Sequence, residues 1–428
     1  MNARKISAIA VGVLCGYLVG YAIGHTKSSF AVVVRGGMGW FGPAATPTAI
    51  GAAIVGLIVV GLIGSLRLPY VVAAASGLVG LAMLVVVAGL AAEGTSSEQQ
   101  LLVIVAAGLL MAAAVIRPDS QVWFVVGLLV AMLYGTQIDE VFALSAHYLE
   151  QRSLPDLSDG WPLLAAVAAA LLAFGFITGK ERCDARVTGR GFAAAVGVSL
   201  GIGLLIWVTG QSVGDPPVVI AVGMIIGSIV WAAWLRRPDG VAVLTMLAVA
   251  AVIAIDPSEK YQIDQFGSET QIVLLVLAAI GGMRWRRPVV GIGLCAVVAV
   301  SALVPALIES TSVTAFAFRF LLPVAVGFAI GACLPVAPTT LLALSIVPVV
   351  AGRFEFSPAA AAWLAKVRSS GAAATGKAEL VWLENVPDTY SLTSNRVGPV
   401  IVATAVILGC AATVHWWQRS TAEAADSV

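Results

Sequence analysis

Few residues in this chain stand in patterns that do chemistry, and the best placed of them is a charge inside an apolar stretch. Arg319, in Ala-Phe-Ala-Phe-Arg-Phe-Leu-Leu-Pro, lies about five residues into the segment 314–334. An ionisable group costs free energy in lipid and is retained there for function. Arg319 either snorkels outward along its own methylenes or faces a polar cavity, where it holds an anionic group or a carboxylate such as Glu309. Pro323, four residues on, opens backbone carbonyls one turn away. Pro305, Pro335, Pro338 and Pro348 make 288–352 the most broken helical region, and broken helices mark binding sites in transporters. The candidate substrate-binding residues are therefore Arg319, Glu309 and Pro323.

Other motifs fail on their context. Gly371-Ala-Ala-Ala-Thr-Gly376-Lys377-Ala378 approaches a phosphate-binding loop, but Ala378 replaces the hydroxyl that would ligate magnesium and no clear strand precedes it. Gly197-Val-Ser199-Leu-Gly201 has the letters of a nucleophile elbow inside an apolar span with no strand before it, so Ser199 reads as a packing residue. His25, His147 and His415 are isolated from one another and from acid pairs, so no metal site can be read. No catalytic residue, cofactor or nucleic-acid partner is implied. The first outer loop, 26–48, has no Asp or Glu, which argues against a lipid-linked sugar transferase that keeps an acidic catalytic residue there. No span carries a central carboxylate of the kind that proton- and sodium-coupled carriers commonly keep.

The elements that must position these residues belong in lipid. Hydrophobic residues make up 60% of the chain and charged ones 11%, with mean hydropathy +0.98, whereas globular proteins are about 25% charged. Fourteen apolar segments approach the ~20 residues that cross a bilayer: 6–25, 49–66, 70–91, 100–116, 121–137, 161–178, 191–210, 217–235, 240–256, 270–283, 288–308, 314–334, 337–352 and 399–417. The shorter 270–283 and 337–352 leave twelve spans as the alternative. The runs lack barrel alternation, so the fold expected is all-α, a polytopic helix bundle forming one membrane-embedded domain over 1–428. The first segment reads as a retained helix rather than a cleaved signal. Cys15, Cys183, Cys295, Cys333 and Cys410 read as free thiols.

Charge orients the bundle. With the N-terminus placed inside, the inner connections hold 14 Lys+Arg and 6 Asp+Glu, and the outer ones 9 and 17. Basic residues are retained on the cytoplasmic side, so both termini are expected in the cytoplasm and the loop 353–398 outside, across the plasma membrane. Inner turns repeat one composition: Arg67-Leu-Pro69, Arg117-Pro118-Asp119, Arg236-Arg237-Pro238-Asp239 and Arg286-Arg287-Pro288. Two of them are compatible with a four-helix duplication, 49–137 and 161–256, although any inner hairpin has use for an Arg and a Pro.

Gly12, Gly16, Gly20 and Gly24 form a ridge at a spacing of four that calls for a partner helix, most simply one in the same chain, and Val19 reads as lying off that ridge. Gly223 with Gly227 and Gly327 with Gly331 are shorter ridges of the sort that 44 glycines produce by chance. Outer loops 138–160 and 353–398 have helical spacing and caps suited to a lid or a partner-binding surface. Two functions fit: a permease or flippase-like transporter of an anionic or lipidic substrate, or a non-catalytic membrane subunit that anchors or assembles an envelope complex.

Overall fold

The computed structural model describes residues 3–24, 45–90, 97–131, 165, 167–172, 189–210, 216–235, 238–253, 255, 268–302, 316–347 and 394–426. These residues are all helix and short connections, with fourteen helices and no strand among them. We number them α1 (Ala3–Gly24), α2 (Ala45–Ser65), α3 (Tyr70–Leu90), α4 (Ser97–Val115), α5 (Pro118–Ala131) and α6 (167–172). Then come α7 (Gly189–Gly210), α8 (Pro216–Leu235), α9 (Asp239–Ile253), α10 (Ser268–Trp285) and α11 (Pro288–Ser301). Last are α12 (Ala317–Cys333), α13 (Pro338–Leu344) and α14 (Ser394–Asp426).

A helix satisfies its own backbone, which is what a long apolar run in lipid demands. Four stretches are long and apolar enough to cross a bilayer: Lys5–Ile23, Pro47–Ser65, Tyr70–Val87 and Val400–Ser420. Eight more helices are apolar over 10–17 residues. Large apolar side chains also face outward, among them Ile58, Val86, Val230, Leu277 and Leu408, each about half exposed or more. Outward apolar faces on apolar helices belong against acyl chains, and the chain is a membrane helix bundle of the multi-pass kind. At 33 residues α14 outruns the expected segment 399–417, and at 1.5 Å per residue it is about 50 Å long, well beyond the hydrocarbon core.

The turns show how the hairpins close. Arg67 has φ 50 and Arg286 φ 47, the left-handed conformation that ends helices and is usually left to glycine. Arg67 N–H bonds Gly64 O at 3.3 Å and Leu68 N–H bonds Ile63 O at 3.0 Å, while Arg286 N–H bonds Gly282 O at 2.8 Å. These bonds satisfy orphan carbonyls at the ends of α2 and α10. Arginine at such a position carries a conformational cost of about 1–2 kcal/mol that glycine would avoid.

Helices α1 to α5 form one half of the bundle, and α8 to α12 with α14 the other; α7 touches α2 and α8, and α13 lies between the halves against α2, α4, α7 and α9. Close approach in each half runs through glycine. A Cβ on Gly12 would meet Ser120 O at 2.5 Å, one on Gly16 would meet Phe124 O and Leu128 N, and one on Gly20 would meet the Ala131 Cβ at 2.7 Å. Gly127 of α5 answers against the Val13 carbonyl, so α1 and α5 touch backbone to backbone. Gly24 closes α1. Val19, read above as lying off the glycine ridge, is nonetheless fully buried, so the packed surface of α1 is wider than the ridge.

The second half is sewn the same way, and here the chance reading of Gly327 and Gly331 fails. Gly327 lies against Leu275 O and Gly331 against Ala279 O of α10, and Gly282 of α10 answers against Phe328 O and Ala332 N. By contrast Gly227 has open space where a Cβ would go.

Contacts gather the expected inner turns at one end. Lys5 reaches Asp119 at 3.7 Å, the Arg117 guanidinium lies 4.7 Å from the Tyr70 ring centroid, and a Cβ on Gly240 would stand 3.3 Å from Trp417. The start of α1 and the turns before α3 and α5 therefore meet, as do the turn before α9 and the late part of α14, and the first turns of α5 and α9 both bond to residues 336–337, which sets the two groups at one end.

Candidate functional site

The least regular described stretch is the break between α12 and α13. Leu334 leaves the helix with φ −96 and ψ 153, the Leu334–Pro335 bond is cis, and Ala337 is again extended with φ −59 and ψ 135 before Pro338 opens α13. Three of the four residues out of helical register present backbone N–H groups that must find acceptors, with Leu334 and Val336 buried, Ala337 half-buried and Pro335 exposed. Each one does. Leu334 N–H bonds Ile330 O at 3.2 Å, Pro335 has no N–H, Val336 N–H bonds Gln121 Oε1 at 3.0 Å, and Ala337 N–H bonds Asp239 Oδ1 at 3.1 Å.

Two side chains from opposite halves thus hold the break. Gln121, on the first turn of α5, is 1% exposed and also donates from Nε2 to Val115 O at 3.0 Å, an orphan carbonyl at the end of α4. Beside it Ser120 Oγ donates to Ala114 O and to Arg117 O. Asp239 opens α9, and its second oxygen accepts from Thr340 Oγ1 at 3.1 Å, so one carboxylate caps α13 through a backbone and a side-chain donor. Thr339, Thr340 and Ser345 are all buried, which makes α13 a polar-bearing element inside the bundle. The two Arg-Pro-Asp turns consequently do different work. Asp119 makes an exposed ion pair with Lys5, and Asp239 a half-buried cap.

Arg319 stands at the other end of α12. It lies in a π turn, Ala317–Leu321, closed by Leu322 N–H on Ala317 O, and Pro323 follows without an N–H to give. The hydrogen-bond ladder is therefore loosened at successive positions. Arg319 is half-buried, with its guanidinium 5.7 Å from the Phe320 ring centroid, and Phe316 packs on Phe320 at 5.1 Å. Pro323 is buried one turn below. Fourteen residues separate Arg319 from Cys333, about 21 Å along the axis. One helix thus carries a cation at one end and the break at the other.

Glu309 lies outside the described residues, as do the loops 26–44 and 138–160, residues 353–393, and His25, His147 and Cys183. Ser199 is fully buried and donates to Ala195 O at 2.9 Å within its own helix, the behaviour of a packing serine rather than a nucleophile. The break's partners, Gln121 and Thr340, went unread in the sequence. Their available signal was a polar residue opening an otherwise apolar span. No protein-family model and no curated protein matches this sequence.

Proposed function

We propose that the chain is a membrane carrier, a permease or flippase-like transporter of an anionic or lipidic substrate, working across the plasma membrane with both termini in the cytoplasm. One observation carries this reading: the break 334–337 and α13, which follow α12 of one glycine-sewn half, lie between the two halves and are held by Gln121 from one and Asp239 from the other. A break gripped by hydrogen bonds from both sides can exchange partners as the halves rock, which is how discontinuous helices serve carriers. Arg319, on α12, supplies a planar fork for a carboxylate or phosphate.

Reconstitution tests the reading. Proteoliposomes carrying fluorescent phosphatidylglycerol should expose it to an external quencher faster than protein-free vesicles. Arg319→Lys should fold normally yet lose much of the rate, and Arg319→Gln nearly all. Full rates in both variants would make Arg319 a snorkelling residue with no hand in transport.

The backbone-to-backbone glycine seams favour a second reading, a rigid non-catalytic subunit that anchors an envelope complex through the loops 138–160 and 353–398. Inert proteoliposomes together with co-purification of a stoichiometric partner would select it. Orientation is tested separately: cysteines placed at Ser370 and Ser420, in a background lacking reactive native thiols, should react oppositely with an impermeant thiol reagent on intact cells. Labelling of both from outside would overturn the proposed topology.

A further inference from the structure

At the cation-rich end, α1, α3, α6 and the turn between α4 and α5 enclose a crevice of about 30 Å³. Its lining is small and apolar where it is deepest, with Ala8, Ala73 and Ala74 buried. Arg117 and Tyr70 line it as half-buried side chains, the guanidinium over the ring at 4.7 Å. Among the described residues no carboxylate pairs with Arg117; the neighbouring Asp119 stands 3.7 Å from Lys5. A guanidinium attracted to a ring face retains a planar set of N–H donors, and that fork fits a phosphate. The volume is on the order of one or two water molecules, enough to seat a few polar atoms and far too small for a whole substrate. Beside the crevice the surface turns apolar, with Ile6 50% and Leu66 64% exposed.

We propose that this crevice seats the phosphate of an anionic phospholipid from the leaflet at the cation-rich end, with Arg117 as its direct partner and the acyl chains lying along the apolar surface beside it. Charge complementarity selects the occupant. A zwitterionic headgroup would bring its own cation towards Arg117, whereas an anionic one answers a half-buried charge that no carboxylate among the described residues neutralises. The site does not rest on the carrier reading, since a resident lipid binds here whether or not the protein moves another molecule.

The test uses the full chain purified in neutral detergent. Native mass spectrometry should retain phosphatidylglycerol in preference to phosphatidylcholine, and phosphatidylglycerol should raise the melting temperature where phosphatidylcholine and inorganic phosphate do not. Arg117→Gln should weaken phosphatidylglycerol retention about fivefold, the worth of one cation near an anionic surface. Arg287→Gln, an exposed cation at the same end outside the crevice, should bind as the unaltered protein does. Equal retention of the two lipids by the unaltered protein would overturn the proposal, and that measurement stands even if Arg117→Gln does not fold. Equal loss in the Arg287 variant would replace the site with a diffuse surface charge, and stabilisation by inorganic phosphate alone would remove lipid as the occupant.

Discussion

Gly16→Leu is expected to abolish most of the folded, detergent-extractable protein, whereas Gly201→Ala should leave the yield and melting temperature unchanged or slightly higher. The difference lies in what each Cβ would meet. At Gly16 it meets the Phe124 carbonyl and Leu128 N, backbone atoms of α5 that cannot rotate away. At Gly201 there is open space. Overpacking a well-fitted interior costs about 1–3 kcal/mol where side chains can adjust, and a leucine pressed against backbone sits at or above the top of that range. In lipid this loss has little to offset it, because helices there associate through close van der Waals contact rather than hydrophobic drive. Alanine in an exposed helical position removes glycine's backbone entropy, worth about 0.5–1 kcal/mol. Fluorescence-detected gel filtration with thermal melts reads both variants. Equal yields and melting temperatures for the two would mean that α1 does not pack on α5 through this ridge.

That contrast also marks how far the sequence could be read. Every one of the fourteen apolar segments overlaps a helix, because run length and apolar content are local properties and lipid leaves the backbone no alternative. Which face of a helix meets another helix is not local. Gly223 with Gly227 and Gly327 with Gly331 share one spacing, yet Gly331 presses on the Ala279 carbonyl and Gly227 meets nothing. Val19, off the glycine spacing, is buried all the same, which spacing alone does not reveal. The break at 334–337 was visible in Pro335 and Pro338, but its holders were not: Gln121 lies 215 residues from Val336 and Asp239 lies 98 from Ala337. Asp119 and Asp239 occupy identical motifs, and only the three-dimensional arrangement separates an ion pair at the surface from a cap on a buried helix.

Those two aspartates should respond to truncation to very different degrees. Asp119→Ala removes one partner of an exposed pair whose members are both more than half accessible, and is expected to shift stability by no more than about 1 kcal/mol. Asp239→Ala removes the acceptor of two donors, Ala337 N–H and Thr340 Oγ1. Leaving a buried donor unsatisfied costs about 1–3 kcal/mol, and Thr340 is fully buried while Ala337 is half-buried, so a clear drop in melting temperature and in extractable protein should follow. Asp239→Asn retains a carbonyl oxygen for Ala337 N–H and should fall between the two. Thr340→Val keeps the side chain's shape and removes one of the donors. Combined with Asp239→Ala it should cost less than the sum of the separate losses, since the hydroxyl left stranded in the single variant is gone. Thermal melts of the five variants beside the unaltered chain close the cycle. If Asp239→Ala melts with Asp119→Ala, or if the double variant is strictly additive, the carboxylate does not hold α13, and the grip of both halves on the broken helix is lost as an argument for a carrier.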